Sequence, residues 1–213
     1  MLEVGCGASA WLVYFAKEFG YRVEGIDYSE LGCELARENL RLNQISGNVQ
    51  CRDLFSVNQG EMGSFDIIFS YGVIEHFEQP GEVLRILSAL LSPGGWMVVI
   101  VPNLGGIYGP LQRWWSEPVF RIHQVLSPGD LARNMASCGL TTVTAKYFGT
   151  FFLSVVNWSL PQPSGALRRM IPPIVSRIDR QVTTALRTLG IQGESRLFSP
   201  YVMAIGTKPD AQP

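Results

Sequence analysis

The chain has 213 residues, 46% of them hydrophobic and 16% charged, with a formal net charge of −1. Such a length suits one domain with an ordinary core, and such a composition is that of a globular chain and argues against a disordered one. No apolar run reaches the ~18 uninterrupted residues that span a bilayer, and the basic residues lack the density of a nucleic-acid surface.

The first hundred residues alternate short apolar runs with amphipathic stretches. Leu2–Val4 reads as a strand stub that breaks into the turn Gly5-Cys6-Gly7. Ser9–Phe19 reads as a helix, with Ser9 as N-cap and Gly20 as its stop. Arg22–Ile26 is the next strand and ends at Asp27. Ser29–Asn43 is a second helix, capped by Ser29. Val49–Arg52 is a short strand ending at Asp53. Phe65–Ser70 is a strand followed by a loop that carries Glu75 and His76. Pro80–Leu91 is a helix with Val83, Leu84, Leu87 and Leu91 on one face. Pro93-Gly94-Gly95 is a turn, and Trp96–Val101 is an apolar strand stopped by Pro102.

The second half is less regular. Leu104–Gln124 reads as a long excursion with the pair Trp114-Trp115. Ser127–Cys138 is a helix with Pro128 at its first position. Thr141–Tyr147 and Tyr201–Thr207 read as strands. Between them lie Pro161, Pro163, Pro172 and Pro173, then a helix from about Ile174 to Leu189. Its apolar residues, among them Ile174, Val175, Ile178, Val182 and Leu186, share one arc, with Arg177, Arg180 and Arg187 opposite.

Strands alternating with helices at this spacing predict a doubly wound α/β fold. The sheet is mostly parallel, with helices on both faces. Right-handed crossovers put the C-terminal ends of its strands on one edge, where ligands bind. Asp27, Asp53 and the loop after Ser70 all fall on that edge. A glycine turn between strand and helix brings backbone N–H groups close to a ligand, beside the positive end of the helix dipole. The third glycine of a GxGxxG turn is absent, because position 10 is Ala10. Asp27, twenty residues past the turn, can accept from a ribose diol. Asp53 can meet the amine of an adenine. Glu3 lies inside an apolar strand, where a carboxylate needs a partner such as a cationic ligand group. The alternative for each acid taken singly is a cap or a solvated loop end.

The stretches "LEVGCG", "GIDYS", "CRDLF", "FDIIFSYGVIEHF" and "LSPGGWMVVIVPN" occur in that order. Together they resemble the successive motifs of class I S-adenosylmethionine-dependent methyltransferases, over roughly residues 1–103, 124–147 and 201–207. Position 9 is Ser9, where that family often has a further glycine. The resemblance implies a seven-stranded sheet whose last strand, Tyr201–Thr207, is antiparallel, with a helical insert before it. It also implies S-adenosylmethionine as cofactor. Glu3, Gly5 and Gly7 would then contact its methionine part, and Asp27 its ribose hydroxyls. Tyr28, Asp53 and Leu54 would lie by the adenine, and Ser70 and Tyr71 would line the pocket. A dinucleotide site fits less well, because Glu3 would repel a pyrophosphate. Family members usually carry a helix ahead of the first strand, so the resemblance implies either a truncated start that lacks this helix or a pocket more open than usual.

Residues 1–213 read as a single domain, with 104–124 and 152–199 as insertions on the substrate side. The expected reaction is methyl transfer to a small-molecule or lipid-linked acceptor, at oxygen. The alternative is a truncated or non-catalytic methyltransferase-like binding module. An oxygen acceptor that arrives protonated needs a base, and the two histidines, His76 and His123, are the candidates. Each has a structural alternative: loop shape for His76, helix-entry packing for His123. No set of potential ligands has metal-site spacing, so no metal is expected.

Charge is uneven along the chain. Residues 1–159 hold ten Lys and Arg against fifteen Asp and Glu, and residues 160–208 hold seven against two. A basic amphipathic segment over 168–189 suits either a lid on the domain or contact with an anionic membrane surface. The four cysteines, Cys6, Cys33, Cys51 and Cys138, form no CxxC pair. That usage and the acidic Glu3, where a secretory leader would be basic, point to a cytoplasmic protein.

Overall fold

A computed structural model describes residues 1–57, 59–158, 166–191 and 193–210. Pro161 and Pro163 lie outside the described residues, as do the side chains of Arg168 and Arg169. The elements run β1 Leu2–Val4, α1 Trp11–Phe19, β2 Val23–Asp27, α2 Glu30–Leu42, β3 Gly47–Cys51, α3 Gln59–Met62 and β4 Phe65–Tyr71. They continue with α4 Pro80–Leu90, β5 Leu91–Pro102, α5 Tyr108–Trp115, α6 Glu117–Arg121, α7 Pro128–Ser137, β6 Thr141–Phe148, α8 Ala166–Thr188 and β7 Tyr201–Thr207.

The strands form one sheet in the order β3-β2-β1-β4-β5-β7-β6. Pairing is parallel from β3 through β5, and β7 runs antiparallel to both β5 and β6. The doubly wound α/β expectation and the antiparallel last strand are therefore both present. The order reverses at β1, between β2 and β4. That is the switch point at which an open α/β sheet leaves a crevice.

Two apolar layers cover the sheet. On one side Val83, Leu84, Leu87, Leu131 and Met135 from α4 and α7 pack on Leu2, Ile68, Met97 and Val99. On the other, Leu12 of α1 and Cys33, Ala36 and Leu40 of α2 pack with Cys6, Val23 and Val49. All three residues of β1 are buried, which its position in the sheet requires.

The helix ends follow local chemistry. The Ser29 hydroxyl accepts from the Gly32 N–H at 3.1 Å and caps α2. Ser127 and Asp130 form a reciprocal capping box on α7. Gly20 adopts φ 68° and closes α1.

Three stretches differ from expectation. Pro93-Gly94-Gly95 is not a turn between elements but a bulge inside β5. Phe65 pairs with Leu91 and Ile67 already with Trp96, so the extra residues loop out of the ladder. The strand survives because the bulge is paired elsewhere: the Gly94 N–H donates to the Lys208 carbonyl, and the Lys208 N–H to the Gly95 carbonyl, both at 2.9 Å. The excursion Leu104–Gln124 contains two helices, anchored by the buried Tyr108, whose hydroxyl donates to the Phe198 carbonyl at 2.6 Å. Finally, α8 begins at Ala166 rather than Ile174, with Pro172 and Pro173 inside it. Proline removes one helical donor but has helix-compatible φ. Downstream, Val175 and Asp179 are buried in the docked face. Among the described residues no helix is long and apolar enough to cross a membrane.

Candidate active site

The site grows from the break after β1. Gly5 and Gly7 have φ of +72° and +32°, a backbone that L side chains rarely adopt. A Cβ on Gly5 would stand 2.2 Å from Val73 Cγ2. The Gly5 and Cys6 N–H groups donate to the Ile26 carbonyl at 2.8 and 3.2 Å, which folds the turn over the end of β2. Asp27 locks this arrangement. Its Oδ2 accepts from the Gly7 N–H and its Oδ1 from the Ser29 N–H, each at 2.8 Å. Each carboxylate oxygen keeps a further lone pair for a ligand hydroxyl.

Glu3 lies behind the turn, 1% exposed, and its Oε2 has no hydrogen-bond partner. Burial raises its pKa to about 7, against the opposing effect of the Ser9 hydroxyl and the Leu12 N–H. Ser9 itself turns inward, and its Oγ accepts from the Trp11 N–H at 2.9 Å. Ser70 of β4, paired with Val4 of β1, does not line the pocket as expected: it is fully buried in the sheet, with its hydroxyl also unpartnered.

A cavity of about 450 Å³ opens in front of the turn, within the ~300–1,000 Å³ usual for small-molecule sites. Gly5, Asp27, Tyr28, Leu54, Val73 and His76 are among its walls. Tyr28 is 85% exposed, so it stands as a flap at the mouth. Asp53 is not on this wall: its Oδ1 accepts from the Phe55 N–H at 3.0 Å and caps a short 3-10 turn. Leu54, next in sequence, is turned inward instead.

A second cavity, also about 450 Å³, lies beside the first. Gly72 and His76 line both. Tyr71 faces the second one, and its hydroxyl is 2.6 Å from that of Tyr201. Burial raises the pKa of both phenols, so they are hydrogen-bonding groups rather than bases. The far wall comes from Ser154 to Trp158, with Pro172 and Ser176 of α8. Asp179 fastens α8 there: its carboxylate accepts from the Leu153 N–H at 2.6 Å and from the Ser154 N–H and hydroxyl at 2.8 and 2.6 Å.

His76 and His123 meet in the wall of this cavity, their ring centroids 4.4 Å apart. His76 is exposed at the cavity wall, yet partial desolvation of its ring, then the neighbouring His123, hold its pKa below the ordinary value. Glu75 is 1% exposed, with Oε2 unpartnered, and burial raises its pKa to about 7. The ligand atoms of Glu75, His76 and His123 lie within 4.8 Å of one another. The sequence spacing gave no expectation of such a cluster. It forms because the Gln124 N–H donates to the Glu75 carbonyl at 2.6 Å, drawing the two distant segments together.

Of the residues singled out from the sequence, Gly5, Asp27, Tyr28, Leu54, Tyr71, His76 and His123 line the two cavities, while Gly7 is bonded to Asp27 and Glu3, Ser70 and Asp53 are on neither lining. Sequence reasoning missed Glu75, Gly72, Val73 and Tyr201. Glu75 carried a signal, an acid inside an otherwise apolar motif; Tyr201, at the start of the last strand, carried none.

A family model described as a methyltransferase domain matches residues 1–145. The chain belongs to the class I S-adenosylmethionine-dependent methyltransferase family. This methyltransferase-family chain is 33% identical over 95 residues to the ubiquinone biosynthesis O-methyltransferase of Coxiella burnetii, covering 45% of this chain and 40% of that protein. It is 29% identical over 146 residues to the protein of that name from a Caulobacter species, covering 64% and 57%. The matches thus span about half the length of these curated relatives. The fold is shared with a solved putative sarcosine dimethylglycine methyltransferase from Galdieria sulphuraria, at TM-score 0.66 and 17% identity, covering 99% of this chain and 78% of that one. It is also shared with a geranyl diphosphate C-methyltransferase from Streptomyces coelicolor, at TM-score 0.61 and 17% identity, covering 97% and 71%.

Proposed function

We propose that the chain transfers a methyl group from S-adenosylmethionine to an oxygen of a small or amphipathic acceptor held in the second cavity. The observation that carries this reading is the shared wall. Gly72 and His76 line both cavities, so a donor in one and an acceptor in the other meet at that point.

The residues fit the cofactor. The positive-φ Gly5 lets the turn pack closely against Val73 in the cavity wall, and the unpartnered Oε2 of Glu3 stands behind the turn as a partner for an ammonium. Glu3, Gly5 and Gly7 would hold the amino-acid end, Asp27 the ribose, and Tyr28 and Leu54 the adenine, with Asp53 shaping the rim. Tyr71 faces the acceptor. The cofactor supplies an electrophilic methyl group on a sulfonium. The protein's own work is alignment, which can gain effective molarities on the order of 10⁵ M.

An oxygen acceptor must lose a proton, and the Glu75–His76–His123 cluster is placed to receive its hydroxyl. The lowered pKa of His76, from desolvation of its ring and from His123, favours the neutral ring that keeps a lone pair. The curated relatives' name, O-methyltransferase, supports oxygen over nitrogen or carbon. An amphipathic acceptor is supported by α8, which leaves Met170, Ile174 and Ile178 exposed beside Arg177 and Arg180. The same helix supports contact with an anionic membrane surface over residues 168–189.

Calorimetric titration with S-adenosylhomocysteine tests the donor half of this reading. Incubation with labelled S-adenosylmethionine and a panel of phenols, alcohols and amines tests the acceptor half. Labelling of phenols or alcohols alone is the expected outcome. The second reading, a module that binds the cofactor without catalysis, draws on the exposure of Tyr28 at the cavity mouth. It would be favoured by binding with no labelling across the panel.

A further inference from the structure

The geometry points to a divalent-cation site formed by Glu75, His76 and His123 in the wall of the second cavity. Two imidazoles and one carboxylate form a donor set used by both catalytic zinc centres and non-haem iron centres, each with positions left open for a substrate. Three features of the structure favour a cation here over a chance grouping.

The first is the state of His123. Its Nδ1 lies 2.5 Å from the Val119 carbonyl, which can only accept, so Nδ1 carries the proton. Nε2 then holds the free lone pair. Metal-bound histidines are oriented in this way, with the second nitrogen donating to a carbonyl or carboxylate. The second is Glu75, buried with an unpartnered Oε2 although it lines the cavity. A buried carboxylate oxygen without a partner is costly, and a cation would satisfy it. The third is the framework. The Gln124 N–H bond to the Glu75 carbonyl fixes the two segments together.

The ligand atoms lie within 4.8 Å of one another. Around an ion held at about 2.1 Å they would stand roughly 3–4 Å apart, so small side-chain rotations complete the set. Imidazole donors favour zinc or another late first-row ion over magnesium or calcium. The role assigned to the cation rests on the methyl-transfer reading. An acceptor hydroxyl that joins it is acidified, and its proton passes to solvent water, leaving the oxygen directed toward the first cavity. The site itself stands on the donor geometry alone.

The test uses the full chain, stripped with a chelator, in a Cys51→Ser background that removes an exposed competing thiol. Zinc alone is titrated against a chromophoric chelator, and cobalt alone is followed by its visible absorption. One equivalent of zinc is expected, with affinity lowered at least about 10-fold by His123→Ala and by Glu75→Gln. Circular dichroism and S-adenosylhomocysteine affinity, both unchanged in His123→Ala, exclude misfolding. Zinc held equally well by the parent and by His123→Ala, or not held at all, overturns the proposal. Cofactor-product binding without zinc binding removes the cation but not the methyl-transfer reading. Zinc binding without cofactor-product binding does the reverse.

Discussion

Asp27 Oδ2 accepts the Gly7 N–H at 2.8 Å across twenty residues of sequence. The same carboxylate holds the Ser29 N–H, so one side chain joins the turn after β1 to the start of α2. Removing it leaves two backbone donors without their acceptor. Asp27→Ala is expected to lower stability by about 2 kcal/mol, the scale of hydrogen bonds to a charged group. It should also weaken S-adenosylhomocysteine binding by more than about 10-fold, since a charged hydrogen bond of that size is worth one factor of ten or more. Urea denaturation and calorimetry read the two effects separately.

Glu3 gives a pH dependence. Its pKa in the folded state is raised from 4.5 to about 7, chiefly by burial, with the charge of Asp27 adding to the effect. The folded chain therefore holds a proton that the unfolded chain releases. Stability falls as pH rises from about 4.5 through about 7, by ~3 kcal/mol in all. Glu3→Gln should flatten that fall. An ammonium-bearing ligand favours the ionised form, so S-adenosylhomocysteine affinity should rise from pH 6 to pH 8 in the parent. A parallel rise in Glu3→Gln would show that Glu3 does not meet the ammonium.

Gly5 and Val73 are a testable pair. A Cβ at residue 5 meets Val73 Cγ2 at 2.2 Å, and φ there is +72°. Gly5→Ala should cost roughly 1–3 kcal/mol through strain and overpacking. Val73→Ala in the same chain should recover part of that cost by removing the clash and leave the strain. A double-mutant cycle on thermal unfolding measures the coupling. Strict additivity would place the two side chains apart.

Asp179 is the buried anchor of α8, accepting from Leu153 and Ser154. Asp179→Ala should free the helix from the second cavity without touching the first. The expected kinetic signature is a higher KM for the acceptor with S-adenosylhomocysteine affinity unchanged. Limited proteolysis should cut α8 faster, because its opening no longer breaks three hydrogen bonds.

Much of the fold was legible in the sequence because its signals are local. The cap at Ser29, the box at Ser127 and Asp130, and the apolar face of Pro80–Leu90 act within a few residues. The bulge at Pro93–Gly95 was not legible, because it persists only through bonds to Lys208, more than a hundred residues away. The upstream extension of α8 through Pro172 and Pro173 escaped for a related reason: local proline chemistry marks a helix start, while burial of Val175 and Asp179 docks the helix. Asp53 shows the converse. Its position after β3 was read correctly, yet its side chain serves as a cap, a direction that position alone does not set.

The sequence by itself determined the alternation of strand and helix, the glycine turn and the acid twenty residues beyond it. Each of these follows from periodicity and backbone freedom within a short window. Only the tertiary structure decided that His123 would reach Glu75 and His76, that Tyr201 would pair with Tyr71, and that two cavities would share Gly72 and His76. Those meetings depend on where the crossovers set segments far apart in the chain, and no short window of residues carries that information.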